Sequence, residues 1–469
     1  MLYWMIANRR LRYNFSLDRA LEHCESLGKP LLVFEALRVG YPWASDRIHH
    51  FVLDGMADNG RTCSSRSVKY VAYVEPKAGA GKGLLAALAE NACAVVTDDF
   101  PCFFLPKMIA SAARQVPVLL EAVDSNGLLP IHATDHVAQR AFDFRRYLQK
   151  ELPAHLTHFP HADPLRKRNL PAPAAISKRL LNKWPMASRK LLSDRGDSLG
   201  HLRIDHRVRP TALRGGSQAA SARTEEFLEK RFPQYADLHN DPDDDVTSGL
   251  SPYLHFGHLS VHELFSRIAK REKWHPEKLS LRANGGREGW WNMSANAEGF
   301  LDQVITWREL GYNFTSHRPD YDRYGSLPHW ARKTLDKHAR DERKHVYNLE
   351  QFETAATHDS LWNAAQAQLV HEGRLHNYLR MLWGKKILEW CRTPQKALEI
   401  MIHLNNKYGL DGRNPNSYSG IFWILGRYDR PWGPERPIFG TIRYMSSANT
   451  ARKVSVKDYV RKYSQAALF

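Results

Sequence analysis

Two tryptophans in residues 371–390 are spaced so that they share one face of a predicted helix. Trp383 and Trp390 are seven residues apart in a segment whose apolar side chains recur at helical spacing. Two tryptophans at this spacing are more often part of a packed core than of a functional site. The spacing alone therefore favours packing.

A polar segment follows this predicted helix and lies between apolar runs. It is rich in asparagine, aspartate, glycine and arginine, at Asn405, Asn406, Asp411, Gly412, Arg413, Asn414 and Asn416. A buried amide costs free energy unless it is hydrogen-bonded. We therefore expect a large polar cofactor beside this segment.

The net charge predicts a polyanionic partner. The chain has 469 residues and a formal net charge of +17 at pH 7, and an excess of this size favours contacts with nucleic-acid phosphates. A solvated basic surface would give the same count. Eleven of the 13 tryptophans lie from Trp184 onward. A basic half rich in indoles suits base stacking, and a large helical core is also rich in indoles.

The composition also predicts an intracellular globular protein. No apolar run approaches the length of a membrane span, and the start MLYWMIANRR does not resemble a signal peptide. We expect no membrane partner, a monomer, and a location that is cytoplasmic in a bacterium and nuclear in a eukaryote. The 5 cysteines are scattered and form no CxxC pair. We therefore predict neither a metal site nor a disulfide framework.

Residues 1–130 alternate between short apolar runs and helical patterns. Runs of strand length lie at 2–6, 30–37, 68–75, 92–99 and 116–123. Apolar strands that alternate with helices predict a doubly wound, Rossmann-like parallel sheet with both faces covered, which binds ligands at the carboxyl ends of its strands. Segment 79–83 looks like a phosphate loop but lacks the first glycine and the Ser/Thr of that motif. We interpret it as a flexible helix start.

The remainder of the chain is predicted to form an interdomain connection and a helical domain. Residues 131–209 carry Arg, Lys and Pro in short pieces and are predicted to connect two domains, whereas residues 210–469 are almost entirely helical in pattern. The predicted fold class is thus α/β plus all-α. Within the turn at 240–252, Asp245, Thr247 and Ser248 offer a helix start that could hold a phosphate, although a simple helix cap is the commoner explanation.

Several motifs of the carboxyl-terminal half occur in an order that characterises one family. They are TSGLSPYLHFG at 247–257, WREL at 307–310, LWN at 361–363, GRLHNYLRMLW at 373–383, KKILEW at 385–390, LDGR at 410–413 and GTIRYMS at 440–446. Together they resemble the photolyase/cryptochrome family, most closely its class II cyclobutane-pyrimidine-dimer photolyases. The resemblance implies a helical domain that holds FAD, light-driven repair of UV-damaged DNA, and a second, deazaflavin-type antenna chromophore in the amino-terminal domain.

The resemblance also implies roles for individual residues around FAD. The positions that match its phosphate, ribityl and ring contacts are Tyr235, Thr247, Ser248, Leu250, Ser251, Arg308, Asn377, Arg380, Asp411 and Gly412. Asn405 matches an asparagine near flavin N5, where an amide can bond either protonation state. Asn377 departs from the glycine that is usual in class II, and His239 stands where an arginine is common.

Electron-transfer and DNA-binding roles follow from the same resemblance. Trp383, Trp362 and Trp390 match an electron-transfer triad that ends near the protein surface. The positions that match the walls of a pocket for a flipped dimer are Trp307, Met381 and Trp423, and those that match a segment filling the gap in the duplex are Arg430 and Trp432.

One departure keeps alternatives open. Gln303 stands where class II photolyases carry a glutamate that bonds the dimer, and glutamine can donate a hydrogen bond but cannot supply a proton. A cryptochrome-like photoreceptor that uses the same flavin and tryptophans is the main alternative, and Gln303 is its best support. A nucleic-acid-binding flavoprotein without photochemistry would explain the charge but not the order of the tryptophan motifs.

Overall fold

The computed structural model describes residues 1–166, 168–173, 175–193 and 197–464. Its sheet has five parallel strands: β1 (Leu2–Met5), β2 (Leu32–Leu37), β3 (Lys69–Val74), β4 (Ala94–Asp99) and β5 (Leu119–Asp124). The strand order is β3-β2-β1-β4-β5, with Leu2 paired to Leu32 on one side and to Val95 on the other. This order is that of a Rossmann-like sheet and confirms the predicted fold of the amino-terminal part.

Helices make up most of the remaining structure. The α-helices in the described part of the chain are α1 (Phe15–Leu27), α2 (Asp46–Ser64), α3 (Leu84–Ala89), α4 (Leu105–Ala113), α5 (Ala141–Glu151), α6 (Lys178–Lys183), α7 (Arg189–Ser193), α8 (Ser217–Glu226), α9 (Tyr235–Leu238), α10 (Ser251–His255), α11 (Val261–Arg271), α12 (Ala295–Leu301), α13 (Arg308–His317), α14 (His329–Lys337), α15 (Leu349–Glu353), α16 (Ser360–Glu372), α17 (Asn377–Trp390), α18 (Pro394–Tyr408), α19 (Pro415–Ile424), α20 (Ser447–Lys453) and α21 (Lys457–Ser464). Two π-helical stretches occur, at Phe227–Arg231 and Asp302–Trp307.

The chain forms two compact units. The first consists of Met1–Ile131, Ala154–Glu225 and Leu250–Arg271, and the second of His132–Pro153, Glu226–Gly249 and Glu272–Phe469. Each unit is therefore assembled from separate stretches of sequence, and the predicted division at residues 130 and 209 stays a prediction. Among the described helices, none has the length and apolar character needed to span a membrane.

One buried carboxylate closes the loop that follows β1. The Asp98 side chain is 0% exposed and accepts hydrogen bonds from the backbone N–H groups of Ile6, Ala7 and Asn8 at 2.8, 2.8 and 3.0 Å. The Tyr3 hydroxyl donates to the same carboxylate at 2.8 Å. These amides lie at the carboxyl end of a strand, where such sheets bind phosphates. In this protein its own side chain satisfies them.

A second carboxylate occupies the glycine-rich segment 79–83. Glu75 accepts hydrogen bonds from the N–H groups of Gly79 and Gly81 at 2.9 and 3.2 Å. Gly83 has φ of 86° and precedes α3, and a left-handed conformation of this kind favours glycine. The segment is a helix start, as predicted, and its amides bind a side chain of the protein.

The structure corrects the sequence-based helix boundaries in two places. The single helix predicted at 371–390 is two helices, because α16 ends at Gly373 in a left-handed cap with φ of 66° and α17 begins only at Asn377. The apolar periodicity continues across this break and does not reveal it. The helix start predicted at 245–248 was wrong as well, since α10 begins at Ser251.

We expect Asp98→Asn to destabilise the first compact unit by about 2–5 kcal/mol, because the new NH₂ group would face backbone donors that then lack an acceptor. Urea denaturation measures the free energy of unfolding. The matched control is Glu90→Gln, an exposed carboxylate, for which a change within about 0.5 kcal/mol is expected. Equal stability of the two variants would contradict the role of Asp98.

Candidate functional site

Three buried indoles lie in contact where α16 packs against α17. Trp362, Trp383 and Trp390 are 0%, 1% and 2% exposed. The indole N–H of Trp362 donates to the main-chain oxygen of Trp383 at 3.0 Å, and the rings of Trp362 and Trp390 are 5.8 Å apart at an angle of 70°. The structure thus brings the three predicted tryptophans together.

The hydrogen-bond acceptors of the two inner indoles, Trp383 and Trp362, are weak bases. Trp383 Nε1 donates to the side-chain oxygen of Gln366 at 2.9 Å, and Trp362 Nε1 donates to a main-chain oxygen. Gln366 lies one turn after Trp362 on α16, which places both side chains on the face that meets α17. Because neither an amide nor a peptide oxygen takes up a proton near neutral pH, both indoles keep their N–H protons.

Arg380 joins α17 to the polar segment after α18. Its guanidinium donates to Asn405 Oδ1 at 2.9 Å and to the Asp411 carboxylate at 3.1 Å. The Asn405 amide nitrogen donates to Ser417 Oγ at 2.5 Å and to Asn406 Oδ1 at 3.2 Å. Three of the predicted cofactor residues are therefore in direct contact, and Ser417 is a partner that the sequence did not reveal.

Gly412 has a packing reason to be glycine. A Cβ atom at this position would lie 2.5 Å from the main-chain oxygen of Asn405. The next residue, Arg413, has φ of 63° and its backbone N–H donates to Asn406 Oδ1 at 2.8 Å. The Asn406 amide nitrogen donates to Tyr418 Oη at 3.1 Å. The expectation that these amides need a cofactor is corrected, because neighbouring protein groups satisfy them.

The loop before α10 is held by two arginines. Asp245 has φ of 41° and pairs with Arg374 at 2.5 Å, while Arg231 donates to the main-chain oxygens of Asp245 and Thr247 at 3.1 and 3.3 Å. Burial disfavours the charged form of Asp245, but the bonds to Arg374 outweigh it and lower the pKa of this carboxyl. The loop is therefore preorganised around an ion pair.

His376 is the residue that most clearly points to a missing polar group. It is 3% exposed, and both of its ring nitrogens lack a hydrogen-bond partner among the residues that the structure describes. Burial lowers the pKa of His376 to about 4, so the ring is neutral at pH 7. A buried imidazole without partners is costly unless a ligand supplies them. The residues of this region therefore fit a large polar cofactor.

The remaining predicted cofactor residues are less closely associated. Tyr235 is buried and stacks on His239 with ring centroids 4.9 Å apart. The Arg308 guanidinium is buried and lies 4.7 Å from the centre of the Tyr312 ring. Ser248 is partly exposed, Asn377 is exposed, and Leu250 and Ser251 belong to the first compact unit. Roles for these residues at a shared site stay predictions.

Gln303 and Trp307 lie in the π-helical stretch Asp302–Trp307 and are both partly exposed. A π-helical turn is uncommon and occurs often at functional sites. Met381 is also partly exposed and follows Arg380 on α17. The common pocket of these three residues stays a prediction.

Basic side chains and indole rings alternate in the second unit, from the exposed Arg430 to the buried Lys385. The guanidinium of Arg430 lies 4.4 Å from the Trp432 ring, and that of Arg443 lies 4.1 Å from the Trp432 ring and 5.6 Å from the Trp423 ring. The Trp423 ring has a second basic neighbour, the Lys385 ammonium, at 5.4 Å. We call these five residues the cation–indole ladder. Such contacts fix the planes of the rings and keep positive charge beside them.

Asp429 holds the ladder in place. Its carboxylate accepts hydrogen bonds from Arg443 at 2.9 Å and from Trp432 Nε1 at 3.1 Å. Sequence reasoning singled out Arg430, Trp432 and Trp423 but missed the two other cations. Both cations lie inside motifs that were a signal for them, Arg443 in GTIRYMS and Lys385 in KKILEW.

Comparison with known proteins places the chain among DNA photolyases. No family model matches the chain. The deoxyribodipyrimidine photo-lyase of Methanothermobacter thermautotrophicus is 33% identical over 461 residues, which cover 98% of this chain and 93% of that protein. The chain belongs to the deoxyribodipyrimidine photo-lyase family. The photo-lyases of Potorous tridactylus and Oryza sativa are 31% and 32% identical, with 81% and 86% of their lengths and 99% and 98% of this chain covered.

A solved structure supports the fold. The class III photolyase from Agrobacterium tumefaciens matches with a TM-score of 0.68 over 98% of this chain and 86% of that chain, at 17% identity. A likeness at this identity shows the fold alone, and it agrees with an α/β part followed by helices. The resemblance inferred from the ordered motifs is therefore confirmed at the level of the photo-lyase family.

Lys385 is unusual among lysine side chains because it is buried. Its ammonium is 1% exposed and donates to the main-chain oxygen of Ile424 at 2.5 Å. Burial lowers the pKa of Lys385 to about 7. The unfolded chain keeps its proton up to pH values near 10.5, so the unfolded state binds more protons between these two values. The free energy of unfolding therefore rises with pH in that range, by at most about 1.4 kcal/mol per pH unit.

We expect Lys385→Met to remove this rise. The free energy of unfolding is measured by urea denaturation under reducing conditions at pH 7, 8 and 9. The value for the wild type minus the value for the variant should increase steadily with pH. Lys396→Met serves as the control, since Lys396 is exposed on α18, and this variant should follow the wild type. Parallel pH profiles for the wild type and Lys385→Met would contradict a lowered pKa of Lys385.

Proposed function

We propose that this protein is a light-driven DNA repair lyase that splits cyclobutane pyrimidine dimers in UV-damaged DNA. The observation that carries the proposal is the match, along nearly the whole chain, to relatives that are named deoxyribodipyrimidine photo-lyase. The net charge of +17 suits a DNA partner. A cryptochrome-like photoreceptor is not favoured, because these relatives are named for a lyase activity.

The cofactor of the proposed reaction is FAD, held in the second compact unit. Reduced FAD, when bound, supplies after light excitation the electron that splits the dimer. His376 offers two buried ring nitrogens to it, and Arg380 with Asp411 places a charge pair at the predicted ring position. Thr247 and Ser248 supply hydroxyls for its phosphates. A deazaflavin-type antenna chromophore in the first unit, and a monomeric state, stay predictions.

The three indoles carry charge between the interior and the surface in this proposal. An oxidising equivalent on Trp383 passes to Trp362 and then to Trp390. The indole of Trp362 is hydrogen-bonded to the backbone of Trp383, and its ring contacts the ring of Trp390. Because all three side chains are buried, water is excluded. The weakly basic partners of Trp383 and Trp362 favour onward transfer, since neither indole is trapped by losing its proton. Burial thus has a functional consequence in addition to its contribution to the core.

The ladder is the proposed DNA-binding surface. Trp307, Met381 and Trp423 present partly exposed apolar side chains to a flipped lesion, whose extrusion costs a few kcal/mol. Arg430 is exposed and Trp432 partly exposed, so a guanidinium can contact phosphate while the adjacent indole replaces lost base stacking. Asp429 keeps the indole oriented before DNA arrives, which lowers the entropic cost of binding.

The electron path is tested by Trp383→Phe. Photoreduction of the FAD-loaded protein should fall by about an order of magnitude or more, because phenylalanine is far harder to oxidise than indole. The matched control is Trp290→Phe, a buried tryptophan outside the triad, which should photoreduce like the wild type. Both variants should still repair dimer-containing oligonucleotide once they are reduced chemically. Unchanged photoreduction in Trp383→Phe would overturn the assignment of the triad.

The repair reaction is tested by Gln303→Glu. The substitution restores the carboxyl group that the resembled class II enzymes carry, and a carboxyl group can donate a proton to a dimer carbonyl that acquires charge. We expect dimer repair per absorbed photon to rise severalfold while FAD photoreduction stays constant. Gln368→Glu, a buried glutamine on α16, controls for a new carboxyl group elsewhere. Wild-type protein that leaves the dimer unchanged under anaerobic light would refute the proposed function itself.

A further inference from the structure

The indole series does not end at Trp390. Two further rings contact it: the Tyr347 ring, with centroids 5.5 Å apart at 83°, and the His358 ring, with centroids 5.1 Å apart at 63°. The His345 ring stacks on His358 at 3.8 Å. Trp390 is buried, Tyr347 is partly exposed and His358 is exposed. These rings therefore lead from the third indole to solvent.

The backbone fixes Tyr347 against Trp390. The Tyr347 N–H donates to the main-chain oxygen of Trp390 at 3.2 Å. The next residue, Asn348, begins α15 with a capping box, and Phe352 on that helix lies 5.3 Å from the Trp362 ring. The backbone of Tyr347 is thus anchored on both sides, which positions its ring beside Trp390.

Hydrogen bonds determine the direction of the Tyr347 proton. The backbone N–H of His358 donates to Tyr347 Oη at 3.1 Å. The distance between Tyr347 Oη and His358 Nδ1 is 2.7 Å. Because the N–H can only donate, the phenol oxygen accepts there. When His358 carries its hydrogen on Nε2, its Nδ1 is an acceptor and the phenol donates its own proton to that atom. The proton path proposed below uses this tautomer.

The proton acceptor at this end of the series differs from those inside. Trp383 and Trp362 donate to an amide and a peptide oxygen, whereas the Tyr347 hydroxyl lies 2.7 Å from an imidazole nitrogen. An imidazole takes up a proton near neutral pH and an amide does not. The tyrosine at the surface is therefore the position at which loss of an electron can be coupled to loss of a proton.

We propose that Tyr347 is a fourth redox residue, which reduces oxidised Trp390 while His358 takes up its proton. In this step one electron moves from Tyr347 to the Trp390 radical cation, and the O–H bond of Tyr347 breaks as an N–H bond forms at His358 Nδ1. The products are neutral Trp390, a neutral tyrosyl radical and an imidazolium. A soluble one-electron reductant, such as a thiol, then restores Tyr347. The inference rests on the proposed function.

Charged neighbours of His358 set the pH range of the step. Burial and His345 lower the pKa of His358, Lys386 lowers it as well, and Asp359 and Glu389 raise it. The net shift is downward, so the ring is neutral and able to accept a proton at pH 7. The tyrosyl yield should therefore be constant at neutral pH and fall when acid protonates His358.

Tyr347→Phe tests the inference in the FAD-loaded protein. The variant keeps the ring against Trp390 and removes only the hydroxyl. After a laser flash we expect the tyrosyl radical of the wild type, identified by electron paramagnetic resonance with ring-deuterated tyrosine, to be replaced by a tryptophan radical. The charge-separated state should decay about tenfold faster. Tyr324→Phe removes a hydroxyl that donates to Asp336 at 2.9 Å and should behave like the wild type.

His358→Asn separates hydrogen bonding from proton uptake, because an amide oxygen can accept the bond but is not basic. The tyrosyl radical should form more slowly and in lower yield, and the solvent deuterium isotope effect of the wild type should disappear. Trp390→Phe should abolish the tyrosyl radical. Identical radicals and decay in the wild type and Tyr347→Phe, or a wild type that forms no aromatic radical at all, would overturn the inference, whereas wild-type protein that leaves the dimer unchanged under anaerobic light would refute the proposed function.

A second readout needs neither light nor cofactor. Nitrogen NMR of the histidine rings should show His358 with its hydrogen on Nε2 in the wild type. Tyr347→Phe should shift its Nδ1 resonance, because the hydrogen bond to that atom is lost. A wild-type ring with its hydrogen on Nδ1 would contradict the proton path.

Discussion

The hydrogen bond from the indole N–H of Trp362 to the main-chain oxygen of Trp383 fixes how α16 meets α17, and the rest of the second unit is arranged around that contact. A buried N–H group has to find an acceptor, so this bond determines the rotation of α17 as well as its distance from α16. Arg380 then faces the polar segment after α18, and Lys385 faces the end of α19. Successive side chains of an α-helix point about 100° apart around its axis, so α17 contacts three regions at once.

In the proposed electron path, the environment of each ring separates sites that transfer an electron from a site that can also lose a proton. The inner indoles donate to oxygens that are not basic, and they are shielded from water. At the surface the Tyr347 hydroxyl lies 2.7 Å from Nδ1 of His358, and partial desolvation and a second histidine lower the pKa of that imidazole, so it remains free of a proton at neutral pH. In the proposed path, loss of the Tyr347 proton to His358 disfavours return of the charge to Trp390.

The cation–indole ladder, which we propose as part of the DNA-binding surface, follows a different rule, in which charge is balanced but not neutralised. It contains two arginines and Lys385, whose pKa is lowered to about 7 by burial, and the carboxylate of Asp429 binds Arg443. The indoles are held between cations, which orients them before a partner binds. The charge that remains has the same sign as the net charge of the whole sequence. A polyanion is the partner that such a charge attracts most strongly.

The sequence by itself determined the periodic and the ordered features of this protein. Parallel strands, the helical half and the spacing of Trp383 and Trp390 follow from local periodicity, and the order of the motifs was enough to indicate the family. Only the tertiary structure decided which groups meet. The carboxylate of Asp98, 90 or more residues from the amides that it binds, and the pair Tyr347–His358 depend on the path of the chain. Hydrogen bonds between distant residues leave no periodic trace in the sequence, which is the physical reason why these features could not be predicted from it.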